Sequence, residues 1–335
     1  MKTSIRASLL NGFAFAIIST LLLVSCGTKY KLPEEIPPLP VLSPHHHVRL
    51  ALVLGGGGAR GMAHVGVLEE FERAGIKIDM IVGCSAGSIV GALYADCPNA
   101  RHVKHLLVPL KVWDILDVTI KNARYGFVQG RSLRKFLNKN LHCERFEDLH
   151  IPLYVVATDM MEGRLVTFSY GPIIPAVHAS AAVPFVFAPV LVHGRILVDG
   201  GVADPIPVCV AKSMNADVIV AVDLSELLEK ACPTNLFGVA ARSAEIKFLL
   251  QTESCAQDAD VIIKPELGDI GMFDDKNHEN MYQAGRKAAR EAMPKILAEL
   301  EKYESQGAFR EQTVMEVSVN EPALKEPSEF SDSPN

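Results

Sequence analysis

The stretch Leu52–Gly61, LVLGGGGARG, places four consecutive glycines directly after an apolar run. A glycine loop that leads into a helix exposes backbone N–H groups, and such a site binds anions favourably. Two kinds of anion are compatible with this loop. The spacing of Gly56, Gly58 and Gly61 satisfies G-x-G-x-x-G, the pattern of a dinucleotide-binding loop. The same amides could instead hold the oxyanion of an acyl-transfer reaction.

The residues around the next predicted strand discriminate between these two interpretations. A dinucleotide site requires an acidic residue at the end of that strand, to bind the ribose, but here Asp79 precedes the strand. The strand instead runs into GCSAG, from Gly83 to Gly87, which matches the G-x-S-x-G nucleophile elbow. The alternative role of Ser85 is that of an ordinary helix N-cap. Because the glycine loop and this elbow occupy neighbouring turns, we predict that Ser85 is a nucleophile.

A serine nucleophile needs a base, and three residues are candidates. His64 lies on the helix after the glycine loop, where a structural role is favoured because no Asp partner is evident. His278 opens the last predicted helix within a charged stretch, which is typical of a solvated helix end. Asp199 ends the apolar strand of ILVDGG and precedes two glycines. Although Asp-Gly turns are common without any catalytic role, the lack of a credible histidine makes Asp199 the best candidate.

The elements that must position these residues alternate between strand and helix patterns from Val48 onward. This alternation predicts an α/β fold, with a mostly parallel sheet covered by helices on both faces. The hydrophobic fraction of 49% is enough for a sizeable core, and the net charge of -6 argues against nucleic acid as a partner. The apolar segment Val112–Ile120 is assigned to the core rather than to a lid that contacts lipid. Strands are predicted over Arg49–Leu54, Met80–Gly83, Leu153–Thr158, Ile196–Val198, Val218–Val222 and Val261–Ile263, and helices over 59–75, 88–95 and 277–303.

The first 26 residues have the layout of a secretory signal. Lys2 and Arg6 precede the apolar stretch Leu9–Val24, and the sequence LVSC ends at Cys26. A transmembrane anchor is the alternative, but the stretch is short and carries polar interruptions. LVSC resembles a bacterial lipobox, in which Cys26 would be diacylated and would anchor the mature protein in a membrane. Since Gly27 rather than Asp follows, we expect a lipid-anchored protein of the bacterial cell envelope, at the outer membrane.

The predicted domain organisation has four parts. Residues 1–25 form the signal peptide, and residues 26–47 form a proline-rich tether between membrane and domain. Residues 48–305 form one hydrolase domain, and the polar residues 306–335 form a disordered tail.

Taken together, the motifs resemble those of the patatin-like phospholipases, close to the small bacterial members and the neuropathy-target-esterase branch. The resemblance implies a three-layer α/β/α sandwich, hydrolysis of acyl esters of phospholipids or lysophospholipids, and no metal or nucleotide cofactor. A non-catalytic, membrane-tethered lipid-binding lipoprotein with the same fold is the alternative function. The resembling segments are GGGGARGMAHVGVL (Gly55–Leu68), IVGCSAGSIVGALYA (Ile81–Ala95), ASAAVPFVFAPV (Ala179–Val190) and DGGVADPIPV (Asp199–Val208).

The resemblance also implies a role for individual residues. Ser85 is then the nucleophile and Asp199 the base of a Ser–Asp dyad. Phe185 follows Pro184 where the family usually has Gly, so it is expected to alter the acyl pocket. The glycine loop and its arginine are implied to form the oxyanion hole, from Gly56, Gly57, Gly58 and Arg60. The remaining motif glycines are Gly61, Gly83, Gly87, Gly200 and Gly201.

Overall fold

The structure is a computed structural model of the 335-residue chain. The predicted signal peptide, Cys26 and most of the tether lie outside the residues that it describes. Among the helices of the described part, none has both the length and the apolar character that crossing a membrane requires. The described residues are 39–41, 43–44, 46–118, 126–226, 232–268, 270–271 and 276–319.

Eight strands form one sheet in the described part of the chain. The order along the sheet is β5-β6-β3-β2-β1-β7-β8, and β4 also pairs with β3. The neighbours from β8 to β3 are parallel, whereas β4, β5 and β6 pair in the antiparallel sense. The strands are β1 (Leu50–Leu54), β2 (Met80–Cys84), β3 (Leu153–Asp159), β4 (Arg164–Phe168), β5 (Val190–Val192), β6 (Arg195–Asp199), β7 (Val218–Val222) and β8 (Val261–Ile263).

Helices cover this sheet on both faces. Short 3₁₀ turns at Gly58–Gly61 and Gly200–Val202 follow β1 and β6, at the two places where glycine-rich motifs were predicted. The α-helices of the described residues are α1 (Met62–Arg73), α2 (Ala86–Asp96), α3 (Ala100–Leu107), α4 (Val112–Ile115), α5 (Arg131–Asn140), α6 (Ile173–Ser180), α7 (Val208–Ser213), α8 (Leu236–Ala256) and α9 (His278–Val319).

Strand β1 shows why the chain folds into three layers. Leu50, Leu52 and Leu54 face a large core that α1, α2 and α9 cover. Ala51 and Val53 point to the opposite face, where α7 and the end of α8 close a second core. A strand buried on both faces must be apolar throughout, as β1 is. The predicted α/β/α sandwich with a mostly parallel sheet is confirmed.

The strands β2 and β6 meet end to end beside β3. Residues 155–159 of β3 pair with β4 on one side, so β2 and β6 share the other side. On that side Cys84, the last residue of β2, is opposite Val156. Asp199, the last residue of β6, is opposite Ala157. Because β6 runs antiparallel to β3 whereas β2 runs parallel to it, the last residues of these two distant strands pair with consecutive residues of β3.

Three expectations need correction. The strands β4 and β5 were not predicted, because both are short and partly exposed and so lack a clear apolar pattern. The tail predicted for residues 306–335 is helical as far as Val319, since this stretch contains many good helix formers. The segment Val112–Ile120 is core only in part: α4 ends at Ile115, Val118 is exposed, and the last two residues lie outside the described chain.

Candidate active site

Ser85 occupies a strained turn between β2 and α2. Its φ of 51° and ψ of -119° lie in a region that residues with a side chain rarely adopt. Such a conformation costs on the order of 1–3 kcal/mol and persists only where the surroundings fix it. Here the Ser85 N–H donates to Ser180 Oγ at 2.9 Å, and Ser88 Oγ donates to the Ser85 carbonyl at 2.6 Å. The turn thus matches the nucleophile elbow that GCSAG predicts.

The hydroxyl of Ser85 faces Asp199. Ser85 Oγ donates to Asp199 Oδ2 at 2.6 Å, and both side chains are buried. The second carboxylate oxygen, Oδ1, accepts the Gly201 N–H at 2.8 Å. The Asp199 main chain is fixed as well, because its N–H donates to the Ala182 carbonyl at 2.9 Å and its carbonyl accepts from Thr158 Oγ1 at 2.8 Å. Each oxygen of the carboxylate therefore has one donor, and one of those donors is the serine.

The environment of Asp199 favours the proton-accepting role. Burial raises the pKa of its carboxyl to about 6, and the hydrogen bonds from Ser85 and Gly201 oppose this shift only in part. A carboxylate with a raised pKa is a stronger base than an exposed one, and it is still ionised at neutral pH. The arrangement can therefore take a proton from Ser85 without a histidine.

The glycine loop offers fewer free amides than the sequence suggested. The Gly55 N–H donates to Val222 O at 3.2 Å, and the Gly56 N–H donates to Pro205 O at 3.0 Å. Gly56 was predicted to supply an oxyanion-hole donor, but this N–H is already engaged. The N–H groups of Gly57 and Gly58 have no acceptor among the described residues, so they are the amides that the loop can offer to an oxyanion.

The side chain of Arg60 holds the glycine loop in place and is not directed towards Ser85. Its Nε donates to Ile270 O at 2.8 Å, and Nη1 lies 3.4 Å from Leu224 O. These bonds connect the glycine loop to the segments that follow β7 and β8. Arg60 was predicted at the oxyanion hole, and its guanidinium is bonded to these main-chain carbonyls.

Neither histidine that the sequence raised as a base contacts Ser85 Oγ. His64 is buried, and its Nε2–H donates to the Gly55 carbonyl at 2.8 Å, so it supports the glycine loop. Burial lowers the pKa of His64 to about 4, and the ring is neutral near pH 7. His278 Nδ1 donates to Val108 O at 3.0 Å, at the start of α9. The structural role favoured for His64 agrees with this geometry.

The motif glycines allow close approaches that a side chain would prevent. A Cβ atom at Gly87 would lie 2.0 Å from the Leu54 carbonyl oxygen, so only glycine lets α2 begin against the end of β1. Gly58 has a φ of 60°, which glycine adopts without strain. Cβ atoms at the other motif glycines would lie within 3.0 Å of a neighbouring atom: at Gly61, Gly83, Gly200 and Gly201.

An apolar pocket opens beside Ser85. Its volume is about 140 Å³. Ser85 and Ala86 lie on its wall, Leu133 is a fully buried part of the lining, and Leu110 and His278 are half-buried. Other lining residues include Val90, Ile115, Leu116, Ala181, Val183 and Phe187.

Phe185 does not line this pocket, contrary to the expectation that it alters the acyl site. Its side chain is 80% exposed. Val183 and Phe187, two positions before and after it, are the residues of this stretch that line the pocket. The turn that contains Phe185 points it outward.

Sequence reasoning missed the residues that hold the two side chains in place. Ser180 and Ala182 lie in ASAAVP, which was quoted only as a motif, and Thr158 lies at the end of β3. A buried serine in an otherwise apolar run was the available signal. Among the described residues, no group of three or more His, Cys, Asp or Glu side chains could hold a metal ion.

Part of the chain resembles a known protein family. Residues 52–212 match the family model described as patatin-like phospholipase. These 161 residues, just under half of the chain, resemble that family. An uncharacterised NTE-family protein of Mycobacterium bovis is 37% identical over 179 residues, which cover 53% of this chain and 49% of that protein. The lysophospholipase NTE1 of Coccidioides immitis is 29% identical over 279 residues, which cover 74% of this chain and 18% of that protein.

The chain thus spans about half the length of the mycobacterial relative and less of the fungal one. Among solved structures, VipD from Legionella pneumophila superposes with a TM-score of 0.53 at 15% identity, over 82% of this chain and 73% of VipD. At that identity the likeness concerns the fold alone. Both ends of the Ser85–Asp199 hydrogen bond fall within the residues that match this family model.

Proposed function

We propose that this protein is a serine acyl hydrolase that cleaves acyl esters of lipids, with Ser85 as nucleophile and Asp199 as base. One observation carries the proposal: the 2.6 Å hydrogen bond from Ser85 Oγ to the buried Asp199 carboxylate, beside an apolar pocket. The similarity to a fungal lysophospholipase and to the patatin-like phospholipase family supports lipid esters as the substrate class.

In the proposed mechanism, Ser85 Oγ attacks the ester carbonyl carbon while Asp199 Oδ2 accepts the hydroxyl proton. The negative charge that develops on the carbonyl oxygen is stabilised by the N–H groups of Gly57 and Gly58. Loss of one such donor costs ~2.7–4 kcal/mol of transition-state stabilisation. The alcohol leaves with the proton from Asp199, and Ser85 carries the acyl group. Asp199 then takes a proton from water while the water oxygen attacks the acyl carbon. The bond between the acyl group and Ser85 Oγ breaks, the fatty acid leaves, and the proton on Asp199 returns to Ser85 Oγ.

The properties of the pocket support the proposal that it binds an acyl chain. Its lining is almost entirely apolar, and its volume is about 140 Å³. An apolar cavity of about 150 Å³ holds one benzene molecule, so roughly six carbons fit inside. We propose that short acyl groups are enclosed completely and that longer chains extend past the mouth of the pocket.

We further propose that the mature protein is anchored in the outer membrane of a bacterial envelope through diacylated Cys26. The LVSC sequence and the following Gly27 support this. Cys26→Ala should abolish incorporation of labelled palmitate and move the protein out of the membrane fraction. Continued labelling of the Cys26→Ala protein would contradict lipidation at this residue.

The hydrolase proposal is tested with a fluorophosphonate probe and a panel of acyl esters that includes lysophospholipids. Ser85→Ala should abolish probe labelling and ester hydrolysis, and Asp199→Asn should lower both by several orders of magnitude. Ser243→Ala and Asp258→Asn are matched controls on exposed positions. Wild-type rates in either Ser85→Ala or Asp199→Asn would overturn the Ser–Asp mechanism. Absence of labelling in the native protein would favour a lipid-binding protein without catalysis.

A further inference from the structure

Three large apolar side chains are exposed next to the pocket. Val118 is 58% exposed, Phe127 53% and Phe185 80%. We call these three residues the mouth patch. Exposed apolar side chains that occur singly are common, whereas a group at one place marks a site of interaction.

The mouth patch is joined by its backbone to the wall of the pocket. Val118 forms a bridge with Val128, and Val128 forms one with Phe187, which lines the pocket. The Phe127 N–H donates to Val186 O at 3.0 Å. Val128 and Phe187 are buried, whereas the neighbouring Phe127 is exposed. The same short segments thus contribute buried residues to an apolar cluster that includes the pocket-lining Phe187, and exposed ones to the solvent.

Phe185 is held outward by its backbone. The N–H groups of Val186 and Phe187 both donate to the Val183 carbonyl, at 3.2 and 2.9 Å, and close a tight turn around Phe185. Its φ is 69°, which is unfavourable for an aromatic residue and free of strain for glycine. An exposed aromatic ring in this conformation contributes nothing to the packing of the core. A role in contact with another surface would account for it.

A row of cations lies on α5, which begins four residues after Phe127. Arg131, Lys135 and Lys139 are exposed and follow each other at intervals of four, so they share one face of the helix. We call them the cationic stripe. The sequence of α5, RSLRKFLNKN, contains no acidic residue, although the whole chain carries a net charge of -6. The buried face of the same helix supplies Leu133 to the pocket.

We propose that the mouth patch and the cationic stripe dock this domain on the surface of a phospholipid bilayer. Aromatic rings are favourable at the level of the headgroups, and each Lys or Arg near an anionic leaflet strengthens binding to it. The proposal rests on the hydrolase function proposed above, since docking here turns the pocket towards the lipid that supplies the acyl chain. A second copy of the chain on the same patch would instead cover the mouth of the pocket.

The first test locates the patch relative to the bilayer without using catalysis. Full-length Ser85→Ala protein carries Phe185→Trp, or Leu250→Trp as the control, and is reconstituted in vesicles of brominated phosphatidylglycerol and phosphatidylcholine. Leu250 is 62% exposed on α8, whose last turn packs on the opposite face of the sheet. The indole added at 185 should lose most of its fluorescence to bromine quenching, and the one at 250 should not. Equal quenching at both positions, or none at 185, overturns the proposal.

The second test separates docking from chemistry. In the active full-length chain, Phe127→Ser with Phe185→Ser, and separately Arg131→Gln with Lys135→Gln, should each lower the hydrolysis of vesicle lipid about tenfold. Hydrolysis of a soluble short-chain ester should stay unchanged, and the effect of the Gln pair should vanish at high salt. If the wild-type protein does not hydrolyse the soluble ester, the proposed hydrolase function is refuted instead. If the Ser pair converts a dimer to a monomer and leaves vesicle hydrolysis intact, the patch binds a second copy and the proposal fails.

Discussion

The main-chain N–H of Ser85 donates to Ser180 Oγ at 2.9 Å, and both residues are buried. Two positions further along, the Ala182 carbonyl accepts the N–H of Asp199. The end of α6 therefore binds the backbone at both ends of the Ser85–Asp199 hydrogen bond. This makes Ser180 a positioning residue of the proposed site, since it is not among the residues that line the pocket.

Replacing Ser180 by Ala should slow the acylation of Ser85. A buried N–H that loses its acceptor costs about 1–3 kcal/mol, and here that cost falls on a turn that is already strained. We expect kcat to fall about 10- to 100-fold with KM nearly unchanged, measured with a soluble ester and by the rate of fluorophosphonate labelling. Ser180→Thr keeps the hydroxyl and should restore most of the rate. Ser213→Ala, which removes a hydroxyl bonded within its own helix, serves as the control. A proportional loss in all three variants would leave Ser180 no positioning role.

The buried Asp199 should lower stability at neutral pH. Its pKa is raised to about 6 in the folded protein, above its ordinary value, so the folded state binds the proton more tightly than the unfolded chain does. The free energy of unfolding therefore decreases as the pH rises from about 4 to about 6, by up to ~3 kcal/mol. Asp199→Asn removes this titration. In denaturant unfolding, the free energy of unfolding of the variant should rise relative to that of wild type between pH 4 and pH 6. A constant difference between pH 4 and pH 8 would contradict the raised pKa of Asp199.

The strain at Ser85 can be measured by two substitutions that both remove the hydroxyl. Ser85→Ala keeps a Cβ atom in the unfavourable conformation, whereas Ser85→Gly relieves it. We expect the Gly variant to be more stable than the Ala variant by about 1 kcal/mol or more in chemical denaturation. At an unstrained helix position such as Ser243, the same pair should rank in the opposite order. If the Ser85→Gly variant is less stable than the Ser85→Ala variant, the turn at Ser85 is not strained.

The pH dependence of activity should follow Asp199 and not His64. A base with a pKa of about 6 makes kcat/KM fall tenfold per pH unit below that value. His64→Gln retains a donor for the Gly55 carbonyl, so it should leave the acid limb of the profile in place and change kcat less than tenfold. Disappearance of the acid limb in His64→Gln would identify the histidine as the base.

The depth of the pocket should set the preferred chain length. Leu133→Ala removes a fully buried side chain from its lining and should move the optimum on a series of p-nitrophenyl esters towards longer acyl chains. The enlarged cavity should also cost about 2–5 kcal/mol of stability. Leu137→Ala, on the same buried face of α5 but outside the pocket lining, controls for that loss. An unchanged optimum would mean that the acyl chain lies elsewhere.

Local sequence patterns carry much of the proposed site. Strand-end glycines and the spacing around Ser85 are readable because short backbone turns impose strict requirements on residue type. The predicted strands over Val218–Val222 and Val261–Ile263 have the observed bounds. What could not be predicted depends on partners that are distant in sequence. That the Gly56 amide and the Arg60 guanidinium are already engaged, by Pro205 and by Ile270, follows only from tertiary structure.

The meeting of β2 and β6 beside β3 also makes chemistry and specificity separable. Ser85 and Asp199 are 114 positions apart, yet both are set by adjacent pairings to β3. The chain between them supplies α3, α4 and α5, which contribute Leu107, Ile115 and Leu133 to the pocket, and α5 also carries the cationic stripe. Insertions or exchanges in those helices can reshape what is bound without moving the proposed catalytic pair. In the proposed hydrolase, substrate range could thus diverge while the proposed reaction stays the same.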